Sequence, residues 1–86
     1  MAITLTKQVT LEWDNAPSQD PTYVNARNTF IERITIEGKT DGTWSGNSTS
    51  TTRKFLDQSA VDEFLVFVTA NNDGVRNLVS QTITDI

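Results

Sequence analysis

The stretch that most constrains the fold runs from Asp57 to Gly74. Val61, Phe64, Leu65 and Val68 fall at i, i+3, i+4 and i+7, and Ala60 and Phe67 widen the stripe. That is the spacing of a helix with one buried face. Asp57 or Ser59 can accept from the free backbone N–H groups at its start. Ser59 with Asp62 forms a short capping box, and Asp62 and Glu63 sit where the helix dipole favours negative charge. At the far end Gly74 suits the left-handed position after a helix, with Val75 closing the contact. The spacing predicts a helix over 58–71, and most of the remaining chain reads as strand and turn.

Ile3 to Trp13 alternates apolar with polar residues, the period of a strand with one face buried. Lys7 interrupts the apolar row, its stem packed and its ammonium reaching solvent. Asp14 to Pro21 is a loop of turn formers. Two readings of Pro21–Thr29 stand. Asp20 as cap with Pro21 first inside is a proper helix start, and Tyr23, Ala26, Arg27, Phe30, Ile31 and Ile34 share a helical face. Yet Thr22, Asn25, Asn28 and Thr29 are poor helix formers, and the segment can equally be extended. From Ile31 to Glu37 the residues read as strand. Gly38 to Gly42 reads as a three-residue hairpin loop with Gly42 left-handed, setting Gly38 opposite Trp44. Thr43 to Phe55, with its Ser/Thr run, reads as one polar edge strand, and Asn77 to Ile86 as the last strand. The fold class is α+β: four mostly antiparallel strands with one face covered by helix 58–71. A short helix at 21–29 gives a ferredoxin-like βαββαβ order, and an extended 21–29 gives a βββαβ meander.

With 86 residues the chain is a single α+β domain over 1–86. So small a domain buries only about 60–65% of its unfolded surface, and without cysteine it has no disulfide to help. The absence of histidine as well removes the commonest general base and metal ligand, so neither a metal nor a cofactor is expected. A net charge of −4 with scattered basic residues argues against a nucleic-acid surface. No apolar run is long enough to span a membrane. The N-terminus has no basic region before a hydrophobic run, so no signal peptide is expected.

Three constellations could carry chemistry. Asn71-Asn72-Asp73-Gly74 lacks the spaced carboxylates of a calcium loop and is better read as a helix end. Glu12, Asp14, Asp20 and Glu32 have no spacing that converges them. Lys7 and Glu32 share the apolar parity of their strands and could pair in the meander. No catalytic residues are assigned.

The run Thr52-Arg53-Lys54-Phe55-Leu56-Asp57-Gln58-Ser59-Ala60-Val61-Asp62-Glu63-Phe64, followed by Val79-Ser80-Gln81-Thr82-Ile83, resembles small uncharacterised proteins of marine tailed phages, cyanophages included. Thr4-Leu5-Thr6-Lys7 with Trp13 is similar in style. The resemblance implies a phage or marine origin, a virion or host-takeover role, and a place in the host cytoplasm or the virion. It brings no site residues with it.

Two classes of function follow. The preferred one is a small structural or interaction module acting as a homo-oligomer. The other is a small-molecule-binding or enzymatic α+β dimer, its pocket between sheet and helix lined by Lys7, Tyr23, Glu32 and Trp44. A closed apolar pocket of about 300 Å³ or more with convergent polar groups favours the second, and a solid core favours the first. A homodimer is expected from lengths. The Ile3–Trp13 row would extend roughly 33 Å, whereas helix 58–71 covers roughly 21 Å. Val66 adds an apolar position facing away from the core.

Overall fold

A computed structural model describes residues 4–86. It has six elements: β1 (Lys7–Trp13), α1 (Pro21–Ile36), β2 (Ser45–Asn47), β3 (Ser50–Phe55), α2 (Gln58–Ala70) and β4 (Leu78–Asp85). The strands form one antiparallel sheet in the order β2-β3-β1-β4. This is the ferredoxin-like βαββαβ arrangement, and it excludes the meander.

The largest departure from the sequence reading is α1, which runs to Ile36 instead of stopping near Thr29. Ile31 to Ile36 is helix, not strand. Its β-branched residues cost only tenths of a kcal/mol each in helix propensity. Burying Phe30 and Ile34 contributes roughly 1.5–3 kcal/mol apiece, so burial wins. Asp20 caps the start by accepting from the Thr22 N–H at 2.9 Å, with Pro21 first inside. Gly38, φ 78°, closes the end. Its N–H donates to the Thr35 carbonyl and the Lys39 N–H to the Ile34 carbonyl, the paired bonds of a Schellman motif.

Gly38 therefore stops a helix and does not sit opposite Trp44 in a hairpin. Gly42 is left-handed, φ 79°, but in the α1–β2 connection. The hairpin lies later, where Thr43–Phe55 divides into β2 and β3 and turns at Ser48-Thr49, with Asn47 opposite Ser50. The Asn47 side chain accepts from the Thr49 N–H at 2.9 Å, the local bond that turns the chain there.

Helix α2 lies as predicted to within a residue. Asp57, not Ser59, is the cap, accepting from the Ala60 N–H at 2.9 Å. Asn71 caps the other end, so Gly74 is not the helix-stop residue, and Val75 is exposed. Both helices pack on one face of the sheet. Val9 and Leu11 of β1 and Phe55 of β3 meet Phe30 and Ile34 of α1 and Ala60, Val61 and Phe64 of α2. Phe30 stacks on Phe67 at 4.1 Å between centroids, joining the helices. Glu63 accepts from Arg33 at 2.9 Å and Lys39 at 2.8 Å, tying α2 to the end of α1. The other sheet face is polar, with Thr52 and Thr82 flanking Thr10 across three strands.

Among the described residues the strand and helix lengths behind the expected dimer do not differ as expected. β1 has 7 residues and α2 has 13, roughly 23 Å against 20 Å. Ile3 lies outside the described residues.

Candidate functional site

At the end of the sheet where β1 finishes, residues of both helices, the strands and their connections line an open cleft of about 640 Å³. Three arginines reach its walls from distant parts of the chain: Arg27 from α1, Arg53 from β3 and Arg76 from the α2–β4 connection. Arg53 lies beside Val9 in the β1–β3 register, on the face that carries the core. A strand alternates its side chains, so the parity that buries Phe55 also turns Arg53 inward. Its Nη1 is buried and has no hydrogen-bond partner. Burial pushes the guanidinium below its ordinary pKa. The positive charge of Arg27 adds to that, and Asp41 opposes it.

Arg76 is positioned from two sides. Its guanidinium lies 3.7 Å over the Trp13 ring, and its Nε is 3.6 Å from an Asp73 carboxylate oxygen. Burial lowers its pKa, Asp73 opposes the shift, and Arg27 again lowers it. Arg27 therefore acts on both of the other cations, and the three arginines outnumber Asp73, the one carboxylate in the lining.

Asp73 also fixes the rim. It accepts from the N–H groups of Ser18, Val75 and Arg76 at 2.8, 3.0 and 3.2 Å. Burial alone would raise its carboxyl, yet these bonds hold it below the ordinary value. Asp14 accepts from the Asn77 N–H at 2.8 Å and latches the same two loops. Asn71–Gly74 is thus a structural turn. Among the described residues no three His, Cys, Asp or Glu side chains gather as a metal site would need.

Of the four residues named from sequence, Tyr23 and Trp44 line the cavity. Trp44 is 57% exposed, too open for a core role. Lys7 and Glu32 do not belong. Lys7 pairs with Asp85 at the opposite end of β1, and Glu32 is exposed on α1. Their proposed pairing needed 31–37 to be a strand, and that segment is helix. Sequence reasoning missed Trp13, Arg27, Arg53 and Arg76. One signal was present: in Thr51-Thr52-Arg53-Lys54-Phe55, Arg53 shares the parity of Phe55.

Together these groups make a pocket with cationic donors, aromatic walls and amide or hydroxyl groups from Asn28, Asn47 and Ser48. Such a lining complements an anion attached to a flat apolar body. The chain matches no protein-family model, and no curated protein is significantly similar to it.

Proposed function

We propose that the protein binds a small molecule that joins a carboxylate or phosphate to a planar, largely apolar group. The anion would meet Arg53 with help from Arg27, and the planar part would lie against Tyr23 and Trp44. The observation that carries this reading is the convergence of Arg27, Arg53 and Arg76 on one 640 Å³ cleft, with the buried Arg53 Nη1 unpaired among the described residues. A buried donor without a partner costs free energy, and a charged one more so. An anion in the cleft that draws the Arg53 guanidinium toward it would supply the missing acceptor and gain a charge-assisted bond. The cavity exceeds by about twofold the size at which a pocket of this kind becomes plausible for a ligand. The acidic net charge does not oppose the reading, because a small anion responds to the local field of the cleft.

The test is titration with phenyl phosphate, inorganic phosphate and benzyl alcohol, followed by tryptophan fluorescence and calorimetry. Phenyl phosphate should saturate one site and bind more tightly than either fragment. Arg53→Met should weaken it at least about tenfold, the equivalent of one charge-assisted hydrogen bond. Equal binding by wild type and Arg53→Met, or no saturation at millimolar ligand, would refute the reading.

A further inference from the structure

Of the eight large apolar residues exposed among those described, five lie between Val75 and Ile86: Val75, Leu78, Val79, Ile83 and Ile86. All eight residues of β4 are exposed. Among the described residues β4 is an edge strand, with β1 on one side and no strand on the other. An edge this long is ordinarily blunted by lysine, proline or a cover. Between Leu78 and Thr84 there is no charged residue and no proline. The opposite edge, β2, has only 3 residues and includes Gly46.

The ladder fixes which groups the free edge offers. Ile86 donates its N–H to the Thr6 carbonyl. In an antiparallel pair the bonded positions alternate. Thr84, Thr82 and Ser80 therefore face β1, and Gln81, Ile83 and Asp85 turn their N–H and C=O groups outward. The register shifts between Glu12 and Trp13 confine regular pairing with β1 to residues from Ser80 onward.

We infer that β4 is a self-pairing edge, joined antiparallel to β4 of a second copy about a two-fold axis at Ile83. Ile83 is the midpoint of the regular stretch 80–86, so this register uses all of it. The outward groups of Gln81, Ile83 and Asp85 then meet those of Asp85, Ile83 and Gln81 of the second copy. Thr82 faces Thr84 of the second copy on the polar side, a favourable cross-strand pair. No like charges are opposed. Each Asp85 faces a glutamine, and the two Asp85 side chains stand roughly 13 Å apart, beyond the screening length at physiological salt. A register centred on Asp85 would set the two carboxylates face to face. One centred on Gln81 would engage Asn77, whose N–H groups already serve Asp14. The product is a closed two-fold dimer with a continuous eight-stranded sheet.

Sedimentation equilibrium across micromolar concentrations tests this on the full chain, with circular dichroism confirming that each variant is folded. Wild type should approach twice 9.6 kDa. Ile83→Lys sets two ammonium groups against each other on the axis and should return the mass to that of the monomer. Gln81→Lys is an exposed change that faces Asp85 of the second copy. It should tighten the dimer about two- to fivefold at low salt and lose that gain at high salt. A monomer mass for wild type throughout would overturn the inference. So would a dimer indifferent to both substitutions, which would place the contact elsewhere.

Discussion

Arg53→Met should make the unliganded protein more stable, and the structure says by roughly how much. Methionine matches the length and flexibility of the arginine stem, so the packing beside Val9 is kept. The guanidinium is half-buried, with one nitrogen lacking any partner. An unsatisfied buried polar group costs about 1–3 kcal/mol. Partial exposure and the attraction of Asp41 reduce that cost while the repulsion from Arg27 adds to it, and the exposure holds the gain near the lower end, about 1 kcal/mol. For a domain of this size that is a rise in Tm of about 4–8 °C. Urea melts should show a higher midpoint with an unchanged slope. Arg53→Lys keeps the charge and should show no such gain. With saturating phenyl phosphate the order should reverse, because a tenfold tighter site stabilises wild type by about 1.4 kcal/mol more than the variant. A fall in stability for Arg53→Met without ligand would refute the reasoning, since it would mean that the guanidinium is satisfied as it stands.

Three further outcomes can be measured. Phe64→Ala should destabilise by about 3–5 kcal/mol, because Phe64 is buried and packs on Phe55 at 4.8 Å between centroids. Val66→Ala should cost little at 69% exposure, and equal effects in urea melts would mean the wrong helix face. Gly46→Ala should cost at least about 2 kcal/mol, since φ is 127° and a Cβ would stand 2.0 Å from the Ser50 carbonyl oxygen. Gly42→Ala, at φ 79° with Thr35 Oγ1 at 3.2 Å, should cost about 1–2 kcal/mol, and the reverse order in thermal melts would contradict the two geometries. Lys39 first, then Arg33, lower the Glu63 carboxyl, so its stabilisation is present above the unfolded value near 4.5 and is lost as pH falls through the lower folded value. Glu63→Gln should flatten that part of the stability–pH curve, and an unchanged slope would remove the ion-pair network as its cause.

The parts of the fold legible in sequence were those set by local periodicity. Val61, Phe64 and Val68 located α2, and the alternation through Val9 and Leu11 located β1. The second half of α1 was not legible, because Ile31, Ile34, Thr35 and Ile36 carry strand propensity while their helical state is decided by tertiary burial of Phe30 and Ile34. That one misreading displaced the hairpin. Read as strand, 31–37 puts Gly38 in a turn between strands and Trp44 opposite it, whereas the ladder pairs Ser45–Asn47 with Ser50–Thr52. With 31–36 read as helix, Gly38 becomes the natural stop and Ser48-Thr49 the only remaining place for β2 and β3 to turn.

The site was less legible than the fold for a related reason. Arg27, Arg53 and Arg76 are separated by 26 and 23 residues, so along the chain they are isolated charges. Helix phase puts Arg27 in line with Tyr23 and Ile31, strand parity puts Arg53 in line with Phe55, and the Asp73 turn aims Arg76 at Trp13. Each placement follows from a local rule, but their convergence depends on the βαββαβ topology, which sets the start of α1 against the beginning of β3. The acidic total hides the consequence. Three of the four arginines line one cleft against a single carboxylate, Asp73, and low-dielectric walls strengthen their field, while most of the other carboxylates cap, latch or pair elsewhere. Net charge properly argues against a long polyanion, which must lie across the whole surface, and says little about a small anion that meets only the cleft.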